Sequence, residues 1–187
     1  VNIAPLLSPI GNQVVNENAT VNFTASATDA DFPTNTLAFS QDAGAPAGTS
    51  INASTGAFSW TPGEAYGPGT YTVTVRVTDN GSPALDDFET IQITVNEVNV
   101  APVLSAIGDR TGGEATLITF TAMATDADVP ANSLTFTLDP GAPNGASINP
   151  VSGVFTFTPS EVQGPGVYTI TVRVTDNGSP LLDDFET

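Results

Sequence analysis

Apolar and polar residues alternate through much of this chain. "VNFTASAT" (21–28) puts Val21, Phe23, Ala25 and Ala27 on one face and polar residues on the other. "YTVTVRVT" (71–78) does the same with Tyr71, Val73, Val75 and Val77, and "IQITV" (91–95) with Ile91, Ile93 and Val95. A period of two marks half-buried antiparallel strands, here with Thr-rich outer faces. "APAG", "TPGEAYGPG" and "DNGSP" separate the runs as turns, and no stretch sustains a helical period. Phe88 is out of phase with Ile91, which predicts a bulge or loop packing there. Asn80-Gly81 reads as a tight-turn dipeptide.

The pattern occurs twice. Asp126 repeats Asp29 at an offset of 97 residues, which holds without a gap from Val1/Val98 to Thr90/Thr187. Each copy carries about seven short strands, so the expected fold is all-β. It comprises two tandem Greek-key sandwich repeats, 1–97 and 98–187. The second copy ends at "LLDDFET" without a counterpart of "IQITVNE" (91–97), so an apolar groove is expected beside "YTITVRVT" (168–175). Either the residues that follow in a longer array fill it, or a neighbouring subunit does so by donor-strand exchange, which would make the chain a filament subunit. The in-line strand is the expectation, because the first copy carries its own.

Composition narrows the chemistry. Hydrophobic residues make up 40%, enough for a core, and Lys+Arg 3 against Asp+Glu 20 gives a net charge of -17. Such a chain is repelled by nucleic acid and anionic membranes and attracts multivalent cations. The absence of Cys, His and Lys removes thiol nucleophiles, serine–histidine triads, disulfides, the common zinc sites and Schiff bases. A carboxylate-pair glycosidase is the one enzyme class the inventory allows, and a repeat of this size offers no expected substrate cleft, so a non-enzymatic role is predicted. No apolar run approaches the roughly 20 residues of a membrane span. The N-terminus lacks the basic start of a signal peptide, as in a mature or excised fragment.

Oxygen ligands remain, the kind calcium prefers. "ATDADFPTN" and "ATDADVPAN" place Asp29 and Asp31, and again Asp126 and Asp128, where a strand stops. Carboxylates two apart on a continuing strand point the same way and repel until a cation neutralises them. A solvated turn is the alternative. Asp79 sits where a far loop would add a ligand. "ALDDFET" (84–90) reads as a solvated strand entry. Trp60 and Tyr66 suggest a sugar platform, but Trp60 matches Phe157 and reads as core, while Tyr66 matches Gln163 and reads as a variable surface position. Arg76 and Arg173 lie in the outward phase of a strand and are expected to pair with acids. The Asn-X-Ser/Thr sequons are explained by chance in a chain so rich in these residues.

In order, "VVNENATVNFTASATDAD", "NTLAFS", "YTVTVRVTDNGSP" and "VNEVNVAP" resemble the motifs of cadherin repeats, in the form of the cadherin-like, immunoglobulin-type repeats of bacterial surface proteins. The resemblance implies calcium at the junction between repeats. Carried over by position, Glu17, Glu97 and Asn99 would supply ligands with Asp126, Asp128, the carbonyl of Asn132, and Asp176. Glu64 falls where the family has Leu-Asp-Arg-Glu, and only the Glu is kept. "EVNVAP" is shorter than the family's linker and lacks its middle Asp, which implies fewer ions per junction than the fullest form. It further implies an extracellular, cell-surface location and a structural role in an adhesin, stalk or fibre. Neighbouring repeats are the expected partners, with self-assembly into fibres possible and no nucleic acid. A loop-built glycan- or protein-binding module is the alternative in another class.

Overall fold

In the computed structural model, which describes residues 1–187, the chain forms two compact units, Val1–Val98 and Asn99–Thr187. The first contains β1 (Leu6–Leu7), β2 (Gln13–Asn16), β3 (Val21–Thr24), β4 (Ala27–Thr28), β5 (Leu37–Gln41), β6 (Ser50–Ile51), β7 (Ala57–Trp60), β8 (Gly69–Asp79) and β9 (Asp86–Asn96). One sheet has the order β2-β9-β8-β5 and the other β3-β7-β6, with β1 paired to β4. Only β2 and β9 run parallel; every other pair is antiparallel. The first strand is thus split between the two sides of a sandwich, which gives nine short strands where the sequence suggested about seven.

The long alternating runs form the central ladder, with Val73 opposite Ile91 and Tyr71 opposite Ile93. Val73, Val75 and Val77 of β8 and Ile91, Ile93 and Val95 of β9 are fully buried, and they share one core with Phe58, Trp60 and Val21 of the facing sheet. Each such side chain contributes about 1.5–3 kcal/mol of gross burial. The outer row is polar and self-satisfied: the Thr74 and Thr90 hydroxyls pair at 2.9 Å. Gly56, at φ +68, lets the turn before β7 lie against β3's continuation, since a Cβ there would overlap the Ala25 carbonyl oxygen.

Phe88 requires no bulge. The register runs unbroken through Arg76↔Phe88, and Phe88 projects outward with the Arg76 guanidinium 4.8 Å from its ring centre. This phase turns Asp87 and Glu89 inward, where the crossing between β1 and β2 satisfies them. The Leu7 N–H donates to Asp87 at 2.8 Å, and the Ile10 and Gly11 N–H groups donate to Glu89 at 2.6 and 3.0 Å. The acidic stretch is therefore no solvated strand entry; it anchors the segment that changes sheets. Asn80-Gly81 likewise belongs to a longer loop, closed where the Gly81 and Leu85 N–H groups donate to Asp79.

Tyr66 is no mere surface position. It packs edge-on against Trp60 and Tyr71, with ring centres 5.2 Å away in each case. Gln163 takes over its polar contact: the Tyr66 hydroxyl donates to Ala47 O at 3.4 Å, and Gln163 Nε2 donates to the matching Asn144 O at 3.1 Å. Trp60 is 1% exposed, which removes the sugar platform.

The second unit holds β10 (Val103–Leu104), β11 (Ile118–Thr121), β12 (Ala124–Thr125), β13 (Thr135–Leu138), β14 (Ser147–Ile148), β15 (Val154–Phe157), β16 (Val172–Thr175) and β17 (Asp183–Glu186). Its sheets, β13-β16-β17 and β11-β15-β14, follow the first unit's plan. Asp184 and Glu186 again accept the backbone N–H groups of Leu104, Ile107 and Gly108. β16 has 4 residues where β8 has 11, and residues 110–113, the counterpart of β2, form no strand. Both are stretches whose partner in the first unit is the second half of β9. No helix is long and apolar enough to cross a membrane.

Candidate metal centre

The parallel pairing of β2 with β9 ends at Asn16↔Asn96, which carries Glu17 and Glu97 out side by side. The Glu17 N–H donates to Asn96 O at 3.0 Å and extends that pairing by one residue. Glu64 opens a short 3-10 turn, Glu64–Tyr66, and completes a trio. One carboxylate oxygen from each of Glu17, Glu64 and Glu97 lies within 4.8 Å of the others.

Glu17 is the unusual member. It is 3% exposed, and its Oε1 accepts the Val98 N–H at 2.9 Å. Its Oε2 is fully enclosed with no hydrogen-bond partner. Gly67 creates the space: a Cβ there would overlap Glu17 Oε2 and stand 3.2 Å from Glu97 Oε2. A buried carboxylate oxygen without a donor is costly unless a cation meets it. The chain's arginines do not supply that charge. Arg76 is bound to Asp42 and Asp86, Arg173 to Asp139 and Asp183, and Arg110 lies over Phe120 in the second unit. Three carboxylates without nitrogen or sulfur donors fit a hard cation, and calcium in particular.

The second unit keeps the motif. Glu114 and Glu161 stand at the positions of Glu17 and Glu64, and a Cβ at Gly164 would overlap Glu114 Oε1 as one at Gly67 would overlap Glu17. The 97-residue offset carried the signal for these two glutamates. Gly67 carried none, since its role depends on which side chain folds against it.

Each unit has a second acidic network at its N-terminal segment. In the second unit Asp126 Oδ1 accepts the Asp128 N–H at 2.9 Å, and Asp128 accepts the Val100 N–H at 3.0 Å and the Asn132 amide. The Asn132 amide also donates to Asn99 Oδ1 at 2.8 Å, and Asn99 Nδ2 donates to Asp176 at 2.9 Å. The Asn132 side chain is thus engaged within the network. In the first unit Asn2, Asp29, Asp31, Asn35 and Asp79 make the same network. Asn2 and Asn35 were legible only as partners of Asn99 and Asn132.

The strand stops at Thr28, so Asp29 and Asp31 do not extend along a strand; Asp29 Oδ1 closes a turn by accepting the Asp31 N–H at 2.8 Å. The turn consumes one oxygen only. Oδ2 of Asp29 and Oδ2 of Asp126 are enclosed without hydrogen-bond partners. Asp79 and Asp176 are buried, which pushes their carboxyls up. Donors outweigh this and hold both below the ordinary carboxylate range: the Leu85 and Gly81 N–H groups with Asn2 for Asp79, and the Leu182 N–H, Asn99 and the Gly178 N–H for Asp176.

Human Protocadherin Fat 1 is 35% identical over 123 residues, which are 59% of this chain and 3% of that protein. The chain thus spans a small fraction of that relative's length. The structure of Drosophila N-cadherin EC1-4 superposes with a TM-score of 0.62 at 14% identity, over 98% of this chain and 48% of that one. Protocadherin Gamma B2 extracellular cadherin domains 1-5 superpose with a TM-score of 0.60 at 15% identity, over 100% and 39%. At these identities the likeness is one of fold. Residues 4–96 and 101–181 each match the family described as "Putative Ig domain", and the chain belongs to that family as two tandem, cadherin-like, non-enzymatic repeats.

Proposed function

We propose that the chain is a structural segment of an extracellular adhesin, stalk or fibre, stiffened by calcium where one repeat passes into the next. The observation that carries this is the enclosed, unpartnered Oε2 of Glu17 beside oxygens of Glu64 and Glu97. Calcium takes about six to eight oxygens, more than three glutamates provide. Val98 alone separates Glu97 from Asn99 in the sequence, so the chain runs directly from this trio to the set of Asn99, Asp126, Asp128, Asn132 and Asp176. Ligands drawn from both sets would complete the shell and limit motion about that short link. The equivalent Asp29, Asp31 and Asp79 would serve a preceding repeat in the same way.

The cadherin-like fold and the extracellular domains it superposes on support the location. Extracellular calcium modules bind with dissociation constants of about 10⁻⁴–10⁻³ M, and that range is the expectation here. The test is NMR relaxation of the whole chain with calcium and with chelator. Calcium should bring the two repeats to a common, slower tumbling time. Independent tumbling under both conditions would refute the stiffening role.

A further inference from the structure

We propose that the outer face of the β11-β15-β14 sheet in the second repeat is an interaction surface, and that its partner is the same face of a second copy of this chain. The two repeats differ there in one direction. At the 97-residue offset Thr20 becomes Leu117, Ser26 becomes Met123, Ser54 becomes Val151 and Ala57 becomes Val154. These four apolar side chains point away from the core, at 57, 67, 85 and 37% exposure. Ala122 is buried between exposed neighbours, so the alternation runs unbroken and Leu117, Thr119, Thr121, Met123 and Thr125 share one side. Val154 stands opposite Thr121, and Val103 opposite Thr125, which puts both on that side. The turn that carries Val151 is fixed. Asn149 Oδ1 accepts the Val151 and Ser152 N–H groups at 3.0 and 2.9 Å, and the Ala122 N–H donates to Gly153 O at 2.9 Å. A surface held this way loses little freedom when a partner covers it.

Charge selects the partner. The chain carries a net charge of -17, so two copies repel each other over most approaches. The outward positions of this sheet are Thr, Ser and apolar residues without a single carboxylate, so a basic partner has nothing to pair with there. Two copies of the face meet apolar side chain against apolar side chain, as a self-complementary two-fold contact requires. Sheets packed face to face stand about 10 Å apart, and the Debye length in physiological salt is about 8 Å, so carboxylates flanking the contact are screened. Seven residues along the strand and three strands across make a face of about 300–350 Å² per copy. That is less than half of the roughly 800 Å² per partner in a stable interface, so the association is weak, with a dissociation constant of roughly 10 µM–1 mM. None of this depends on calcium.

The experiment is sedimentation equilibrium of the whole chain in chelator, across and above that concentration range, at about 0.05 and about 0.5 M sodium chloride. A monomer–dimer equilibrium is expected, severalfold tighter at the higher salt because screening removes the repulsion. Concentration-dependent amide shifts should map to residues 117–125 and 147–156. The variant Leu117→Thr, Met123→Ser, Val154→Ala carries the residues that the first repeat has at these places, so the same fold accommodates them, and it should associate at least about tenfold more weakly. The shift map of the parent decides by itself if that variant melts early. A parent that stays monomeric at the highest concentration leaves the face to a different partner and overturns the proposal. Undiminished association in a folded variant, shifts centred elsewhere, or weakening by added salt overturns it too.

Discussion

Glu17→Gln should stabilise the first repeat in chelator and lose most of that advantage in calcium. Glutamine keeps the oxygen that accepts the Val98 N–H at 2.9 Å but removes the charge whose second oxygen is enclosed and unpartnered. Carboxylate oxygens within 4.8 Å of one another repel. Unit charges about 5 Å apart interact by about 3 kcal/mol at an effective dielectric of 20, and by less than 1 kcal/mol in water. Glu64 and Glu97 are only partly buried, so roughly 1–2 kcal/mol per pair is a fair figure. Two pairs are relieved, and in chelator the variant should melt about 10 °C above the parent. In calcium at about a hundred times Kd the parent gains about 2.7 kcal/mol, a gain the variant largely forgoes. Trp60 is the only tryptophan and is buried in the first repeat, so its fluorescence reads this unit alone. A variant less stable than the parent in chelator, or one that calcium stabilises as much as the parent, would refute the reasoning.

Asp128→Ala should weaken calcium binding and also destabilise the second repeat, because it strands the Val100 N–H and the Asn132 amide; Asp126→Asn should weaken binding with little loss of stability, as calorimetry and melting would show. Asp79 and Asp176 have depressed folded pKa values, so their stabilisation is complete above the unfolded value near 4 and is lost as pH falls through the folded one; an acid melting series should flatten in Asp79→Asn. Gly153→Ala should cost about 2 kcal/mol or more, since φ is +65 and the new Cβ would overlap the Ala122 oxygen; the second repeat should melt early while Trp60 fluorescence stays unchanged. Glu89→Ala should cost about 1–3 kcal/mol by freeing the Ile10 and Gly11 N–H groups, seen as faster amide exchange at those residues.

The fold was legible wherever burial follows a period of two. Val73, Val75, Val77, Ile91, Ile93 and Val95 declare their face because a one-residue slip would expose them all. Phe88 misled because hydrophobicity alone does not fix a face. Its ring is covered from outside by Arg76, a contact 12 residues away in sequence and directly opposite in the ladder. Asp87 and Glu89 were misread for the converse reason: their partners are backbone N–H groups nearly a whole repeat away, which no local pattern encodes.

The acidic residues were legible as a set and less so in their ranking. Glu17 entered as one of several ligands that the resemblance implied, and it is the most deeply enclosed of the trio because the parallel β2–β9 pairing and the bare backbone of Gly67 surround it. Asp128 and Asp176 looked like free ligands, and the fold commits much of their acceptor capacity to local donors. Like-charge proximity could be inferred from spacing; the competition between a cation and nearby N–H groups depends on the folded loops.

Calcium titrated calorimetrically into the chelator-stripped chain tests the central claim most directly. Saturable binding with a dissociation constant of about 10⁻⁴–10⁻³ M is predicted for the parent, and its loss or severe weakening is predicted when Glu17, Glu64 and Glu97 are all changed to Gln. Heat no greater than dilution in the parent, or the same isotherm in the triple variant, would contradict it.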